Sequence, residues 1–452
     1  MKRHLLFLAV ALLGATSLAL SAQKTAAGPA SADPVRLHLD VDRAVLPAET
    51  TEKAIVKIGL DCARPPRRDL RPPVNIALVI DRSGSMAGDK IAKAREAALE
   101  AVRRLAPDDI VALIVYDTSV QTLVPAQRVG DGRRLEQAIC GIEVAGNTNL
   151  YGGVTRGAAE VRRHMEDRRF VNRVILLSDG LANVGPSSPE ELGRLGASLV
   201  KEGISVTTVG LGLGFNEDLM TRLALRSDGN TYFVEDSRDL PRIFAAELGD
   251  VLNVVARRIV IEIEFPAGVR PLNFVGRDGT IRGQRAEFTL NQLYGGQEKF
   301  ALVEVEVSPS RPGVELEIAR ARLSYDDAIN QRTAQATAKR SVQFSTSRAA
   351  VVKSADHQVQ ADYAANVIAV AKDQAIVLVD ANRRDAAAAE MRQKAAELQR
   401  MGAAYGNSAV LSAANAATPL ADRIESDGLG NTERKAYRAE SAQTRTQQSN
   451  GK

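Results

Sequence analysis

Apolar and polar residues alternate in two segments near the start of the chain. Residues 35–41 (VRLHLDV) and 54–60 place apolar side chains at alternate positions, which is typical of half-buried strands. From residue 74 onward, continuous apolar runs indicate strands that are covered on both faces, and segments with helical apolar spacing lie between them. The predicted strands are 74–80, 110–115, 120–124, 174–177, 205–209 and 231–234, and the predicted helices are 91–105, a segment beginning at 133, 150–165, 189–201, 217–225 and 240–251.

This alternation of strands and helices predicts an α/β fold over residues 73–253, in which a doubly wound, mostly parallel sheet carries helices on both faces. The period of two returns over residues 257–346, in five segments separated by turn residues, and this is typical of an antiparallel β-sandwich. Five strands are few for a sandwich. We therefore expect the early strands within residues 35–62 to complete it, so that the α/β domain is inserted in the sandwich.

The C-terminal part of the chain changes character twice. Residues 360–403 are rich in Ala and favour helix, which predicts a helical hairpin. Asp385 is the expected N-cap of its second helix, and Gly402 is the expected end of that helix. Residues 418–452 are polar and contain few apolar side chains, so we expect a disordered tail.

The N-terminal residues have the layout of a secretory signal peptide. Two basic residues precede an uncharged apolar run at 5–22 that ends in small side chains. Cleavage of residues 1–22 would give a periplasmic or secreted protein. The run is close to the lower length limit for spanning a membrane, about 17 to 25 residues, so an uncleaved anchor is the alternative. This segment is the only membrane contact that the sequence predicts.

Composition and charge narrow the class of partner. Apolar residues make up 45% and charged residues 25%, as in ordinary soluble globular proteins. The formal net charge is +4, and no basic run is long enough for a nucleic-acid surface, so we expect no nucleic-acid partner. After export, Cys62 and Cys140 would meet an oxidising compartment, but their positions leave open whether they form a bridge or remain two separate thiols.

The candidate metal-binding residues lie in loops, most of them just after a predicted strand. The loop after the first α/β strand reads DRSGS and contains Asp81, Ser83 and Ser85. Thr148 precedes the helix predicted at 150–165, and Asp179 lies just beyond a later strand. Because parallel strands hold ligands at their carboxyl ends, we expect these residues in one crevice. Hydroxyl and carboxylate oxygens suit Mg²⁺, Ca²⁺ or Mn²⁺ rather than zinc. An Asx or Ser turn is the alternative for the DRSGS loop alone.

These residues resemble the metal-ion-dependent adhesion site of the von Willebrand factor A family, which has Asp-x-Ser-x-Ser after its first strand and a Thr and an Asp in later loops. The resemblance covers residues 73–253. It implies that the three hydroxyls bind the metal directly, while Asp81 and Asp179 act largely through water. The A domain with its flanking sandwich resembles the arrangement in inter-alpha-trypsin inhibitor heavy chains and in bacterial calcium-activated chloride-channel-like proteins.

The resemblance implies an exported, adhesion-type binding module that recognises an Asp or Glu carboxylate of a partner protein through the cation. It also implies that ligand binding shifts the last helix, 240–251, and acts on the sandwich. A scaffold subunit of a cell-envelope assembly, in which the metal only stabilises the loops, is the alternative. A metal-assisted hydrolase would need a water-activating group, and none is recognisable near the motif, so we predict no catalytic residue.

Overall fold

The computed structural model describes residues 33–64 and 71–448, so the predicted signal peptide at 1–22 lies outside the described residues. The first alternating segments form strands, as their period of two predicts. They are β1 (Val35–Val41), β2 (Val45–Pro47) and β3 (Glu52–Cys62).

The continuous apolar runs that start at Val74 form the strands of an α/β domain. Its elements are β4 (Val74–Asp81), α1 (Asp89–Arg103), β5 (Ile110–Tyr116), β6 (Val120–Arg128), α2 (Arg133–Cys140), α3 (Leu150–Arg162), β7 (Val171–Ser178), α4 (Pro189–Lys201), β8 (Ile204–Leu211), α5 (Glu217–Arg226), β9 (Thr231–Val234) and α6 (Leu240–Val251). The strand order is β6-β5-β4-β7-β8-β9, and only β6 runs antiparallel to its neighbour. Helices α1, α2 and α6 cover one face of the sheet, and α3, α4 and α5 cover the other.

The strands that follow complete the sandwich. They are β10 (Val254–Glu264), β11 (Val269–Val275), β12 (Thr280–Arg282), β13 (Arg285–Tyr294), β14 (Glu298–Val307), β15 (Glu315–Asp327) and β16 (Arg332–Ser345). One sheet has the order β1-β3-β14-β11, and the other has β12-β13-β10-β15-β16-β2. Because β3 pairs with both β1 and β14, segments from both sides of the α/β domain build a single sheet. The predicted insertion of an α/β domain in a β-sandwich is confirmed.

Three short or edge strands were not predicted. β2 and β12 have three residues each, which is too short for a period of two to stand out. β11 lies at the edge of its sheet, contains Pro271 and shifts register between Pro271 and Asn273. Proline cannot donate to the ladder, so it is confined to such edge positions, where the alternating pattern is broken.

The C-terminal region is larger than the predicted hairpin. Its helices are α7 (Arg348–Lys353), α8 (His357–Asp380), α9 (Arg384–Tyr405), α10 (Ser408–Ser426) and α11 (Asn431–Thr446). The prediction of a disordered tail at 418–452 is therefore wrong for residues up to 448. Helix α9 begins before Asp385 and continues through Gly402, where an added Cβ would lie 2.7 Å from the Leu411 side chain. Close packing of α10 requires this glycine, and the helix ends at Gly406, which has a φ of 66°.

The polar tail folds because its charges are paired with carboxylates on other helices. Lys435 is buried and donates to Glu217 of α5 at 2.5 Å. Arg438 donates to Asp218 of α5 at 2.6 Å and to Asp373 of α8 at 2.9 Å. A low apolar content therefore did not mean disorder here, because ion pairs with α5 and α8 add to the apolar packing of Leu420, Ile424 and Ala442. Within the described ranges, no helix combines the length and apolar character that crossing a membrane requires.

Candidate metal centre

The structure brings the five predicted site residues together at one edge of the parallel sheet. Asp81 is the last residue of β4, and Asp179 directly follows β7. These two strands are hydrogen-bonded neighbours and run in the same direction, so both side chains emerge at the same edge. Ser83 and Ser85 lie in the loop between β4 and α1, and Thr148 lies in the loop before α3. This is the crevice that the strand ends predicted.

The side chains form a connected set of oxygen atoms. Ser85 Oγ donates to Asp179 Oδ1 at 2.6 Å and lies 3.1 Å from Ser83 Oγ. The backbone N–H of Ser83 donates to Asp81 Oδ1 at 2.8 Å. Asp81, Ser83, Thr148 and Asp179 are buried, whereas Ser85 is exposed. The cluster is therefore held inside the domain and reaches solvent at Ser85.

Gly180 keeps a space open in front of the hydroxyl groups. A Cβ atom added to it would lie 3.0 Å from Thr148 Oγ1, 3.3 Å from Ser85 Oγ and 3.8 Å from Ser83 Oγ. Hydroxyls from two separate loops thus face one point that a larger residue would fill. Three neutral hydroxyls and two carboxylates form an oxygen-only donor set, which fits a hard divalent cation such as Mg²⁺, Ca²⁺ or Mn²⁺.

Backbone hydrogen bonds fix the loops relative to one another. Gly84 N–H donates to Gly146 O at 3.1 Å, which joins the first loop to the second. Thr148 N–H donates to Asn183 Oδ1 at 2.9 Å, and Asn183 N–H donates to Thr148 O at 3.1 Å. Asn183 therefore joins the second loop to the third. Such fixed loops hold the donor atoms in place before an ion arrives.

Sequence reasoning missed Ser178, which positions Asp81. Its hydroxyl donates to Asp81 Oδ2 at 2.7 Å, so both carboxylate oxygens of Asp81 accept hydrogen bonds. Burial raises the pKa of Asp81, while the hydrogen bonds from Ser83 and Ser178 oppose that rise by favouring the ionised form. The available signal was the position of Ser178 at the end of β7, beside the end of β4 that carries Asp81.

Sequence reasoning also missed Lys90, which brings a positive charge to the centre. Lys90 Nζ donates to Asp179 Oδ2 at 2.5 Å and to Ser85 O at 3.3 Å, and its side chain is 35% exposed. It projects from the first turn of α1, and an added Cβ at Gly212 would lie 3.8 Å from Lys90 Cε. The positive charge of Lys90 partly neutralises the Asp179 carboxylate, and it would repel a metal cation bound at the centre.

A second group of ligand-type side chains lies on the β-sandwich. His38, Asp61 and Glu298 place their ligand atoms within 4.8 Å of one another. The two carboxylates are also engaged in ion pairs, Arg36 with Asp61 at 2.8 Å and Lys57 with Glu298 at 2.7 Å. This group is an ion-pair network across three adjacent strands, and its charges are already balanced by side chains of the protein.

The sequence of the α/β domain matches a known family. Residues 75–246 match the family model described as "von Willebrand factor type A domain", and the five site residues lie within that range. Residues 75–246 therefore form a von Willebrand factor A domain. A solved von Willebrand factor type A protein from Catenulispora acidiphila shares the fold at 15% identity with a TM-score of 0.67, covering 93% of this chain and 98% of that one. The shared fold therefore extends beyond the A domain to the sandwich and the helices.

Relatives by sequence cover less of the chain. An uncharacterized protein of Synechocystis sp. is 28% identical over 275 residues, which cover 59% of this chain and 64% of that protein. Human inter-alpha-trypsin inhibitor heavy chain H3 is 28% identical over 201 residues, which cover 43% of this chain and 22% of the heavy chain. The chain thus spans less than two thirds of the length of these relatives.

Proposed function

We propose that the A domain binds a divalent cation at the centre and, through it, an acidic side chain of a partner protein. The observation that carries this proposal is the convergence of three hydroxyls around the space left by Gly180. A von Willebrand factor A domain is typically a protein-interaction or adhesion domain, which agrees with a binding role. The proposed ligands are Asp81, Ser83, Ser85, Thr148 and Asp179.

The roles of the hydroxyl and carboxylate ligands follow from their charges. The bound cation supplies electrostatic attraction for a carboxylate from outside. Hydroxyls of Ser83, Ser85 and Thr148 donate electron density without negative charge, and the two Asp residues give the site limited anionic character. A cation held in this way keeps affinity for one more anionic oxygen. The exposed Ser85 marks the side on which a partner approaches.

The N-terminal segment supports export as part of the proposal. A basic start, an apolar run and small residues before position 23 direct the chain to the periplasm or outside the cell. Free Mg²⁺ or Ca²⁺ in such compartments would load the site, and the partner would be another exported or surface-bound protein.

Thermal and urea unfolding of the purified protein in EDTA, Mg²⁺, Ca²⁺ and Mn²⁺ test the metal step. Ligand linkage predicts a rise of about 2.7 kcal/mol in the free energy of unfolding when the ion is at a hundred times its dissociation constant. Asp81→Ala should abolish this rise. Asp108→Ala is the matched control, because Asp108 is 83% exposed and lies just before β5, at the opposite end of the sheet. The metal proposal is wrong if none of the three ions stabilises the wild type, or if Asp81→Ala responds equally.

The effect of Asp81→Ala on partner capture distinguishes the proposed binding role from a scaffold role. Under the binding proposal, Asp81→Ala abolishes metal-dependent capture while the protein remains folded. If the metal only stabilises the loops, the variant loses stability but retains its partners at low temperature.

A further inference from the structure

Three exposed apolar side chains lie on the loops that form or adjoin the metal centre. Among the described residues, Val144 is 40% exposed, Leu181 is 60% exposed and Leu213 is 47% exposed. Three other large apolar side chains with comparable exposure lie far along the chain, namely Val314, Val370 and Val377. Single exposed aliphatic residues are ordinary, but three on neighbouring loops form a patch at a proposed binding site. We call Val144, Leu181 and Leu213 the apolar rim.

Leu181 and Leu213 are each adjacent in sequence to a glycine that packs against residues of the centre. Leu181 follows Gly180, which faces the hydroxyls. Leu213 lies between Gly212, next to Lys90, and Gly214, whose added Cβ would lie 2.7 Å from Asp179 O.

Val144 belongs to the second loop. It precedes Ala145, whose N–H donates to Arg82 O at 2.7 Å in the first loop. The rim therefore comes from three separate segments that meet around one charged point. Each of these segments is fixed to its neighbours by backbone contacts, so the apolar side chains have defined places beside the centre.

We propose that the partner segment presents an Asp or Glu side chain flanked by exposed aliphatic or aromatic residues. This inference rests on the proposed function, since the carboxylate would bind the cation. The cation and the nearby Lys90 ammonium favour one carboxylate at the middle of the contact. Around it, apolar side chains of the partner gain affinity by covering the rim, because burial of apolar surface drives association.

A displayed library of nine-residue peptides with a fixed central Asp or Glu tests the inference. The full-length protein is immobilised in Mg²⁺ or Mn²⁺, and bound peptides are eluted with EDTA. The eluted peptides should be enriched in Leu, Ile, Val, Met or Phe beside the acidic residue. Leu181→Ser/Leu213→Ser should lose this enrichment and bind the enriched peptides at least about tenfold more weakly. Val314→Ser/Val370→Ser, which changes two other exposed apolar residues on different elements, should behave as the wild type.

The outcomes separate the inference from the proposed function. The rim double variant should retain the metal-dependent rise in stability, since its substitutions are exposed and leave the ligands unchanged. Polar flanking residues among the eluted peptides, or unchanged enrichment in the double variant, would overturn the apolar rim but leave the carboxylate site in place. Absence of EDTA-eluted peptides from a protein that metal stabilises would overturn both the inference and the carboxylate step of the proposed function, and would leave only metal binding. Absence of any metal effect would instead refute the proposed function.

Discussion

Glu247→Gln should destabilise the protein strongly, because Glu247 is the anion of a buried cluster that holds the last helix of the A domain. The side chains of Glu247 on α6 and Arg173 on β7 are 0% exposed, with Nη1 and Oε1 3.1 Å apart. The carboxylate also accepts hydrogen bonds from Thr207 Oγ1 at 2.5 Å, Asn230 Nδ2 at 2.8 Å and Tyr232 OH at 3.1 Å. Four donors therefore converge on one carboxylate.

The cluster also crosses from the A domain to the sandwich. Arg173 donates to Gln292 Oε1 at 2.6 Å and to Tyr294 OH at 2.5 Å, and both residues lie on β13. Burial raises the pKa of Tyr294, so its hydroxyl stays protonated at neutral pH. Arg173 thus joins α6 to the sandwich through paired charges and hydrogen bonds.

Removal of one partner from a buried ion pair costs about 3–5 kcal/mol, because the other charge stays buried without compensation. The amide of Gln keeps one acceptor oxygen, and its NH₂ group would face donors. We therefore expect Glu247→Gln to lower the free energy of unfolding by about 3–5 kcal/mol. Glu202→Gln is the control, since the ion pair of Arg162 and Glu202 lies at the surface, with side chains 41% and 37% exposed respectively. An exposed pair contributes less than about 1 kcal/mol.

Urea unfolding followed by far-ultraviolet circular dichroism measures both variants, since the chain contains no Trp. The double variant Arg173→Met/Glu247→Met should be more stable than Glu247→Gln, because it leaves no unpaired charge in the interior. The reasoning is refuted if Glu247→Gln costs no more than Glu202→Gln. It is also refuted if the double variant is the least stable of the three.

Three further outcomes follow from individual side chains. Lys90→Met should tighten metal binding at least about fivefold in isothermal titration calorimetry, because it removes a like charge. A thiol reagent should label exposed Cys140 in the folded protein but Cys62 only after unfolding, since burial raises the pKa of Cys62 to about 12. A hydrogen bond with Glu298 raises the pKa of His38 above 6.5, so stability should fall as pH rises through that folded pKa, and His38→Gln should remove this dependence.

The sequence predicted the α/β domain well because each of its core strands is buried on both faces. β4 and β5 consist entirely of buried residues, and such strands appear as continuous apolar runs. The site could be located because every proposed ligand follows a strand or precedes a helix. Ser178 and Lys90 were missed because their roles depend on distances to Asp81 and Asp179, which spacing along the chain does not give.

The C-terminal helix shows most clearly why part of the site could not be read from local sequence. Lys435 of α11 donates to Phe215 O at 2.6 Å, and its ammonium lies 4.4 Å from the centre of the Phe215 ring. Phe215 follows Gly214, which packs against the backbone of Asp179. A helix that a composition rule assigns to disorder therefore supports the loop behind a proposed metal ligand. The charge of Lys435 can be buried because Phe215 O and Glu217 accept its hydrogen bonds, and both residues lie more than two hundred positions earlier in the chain.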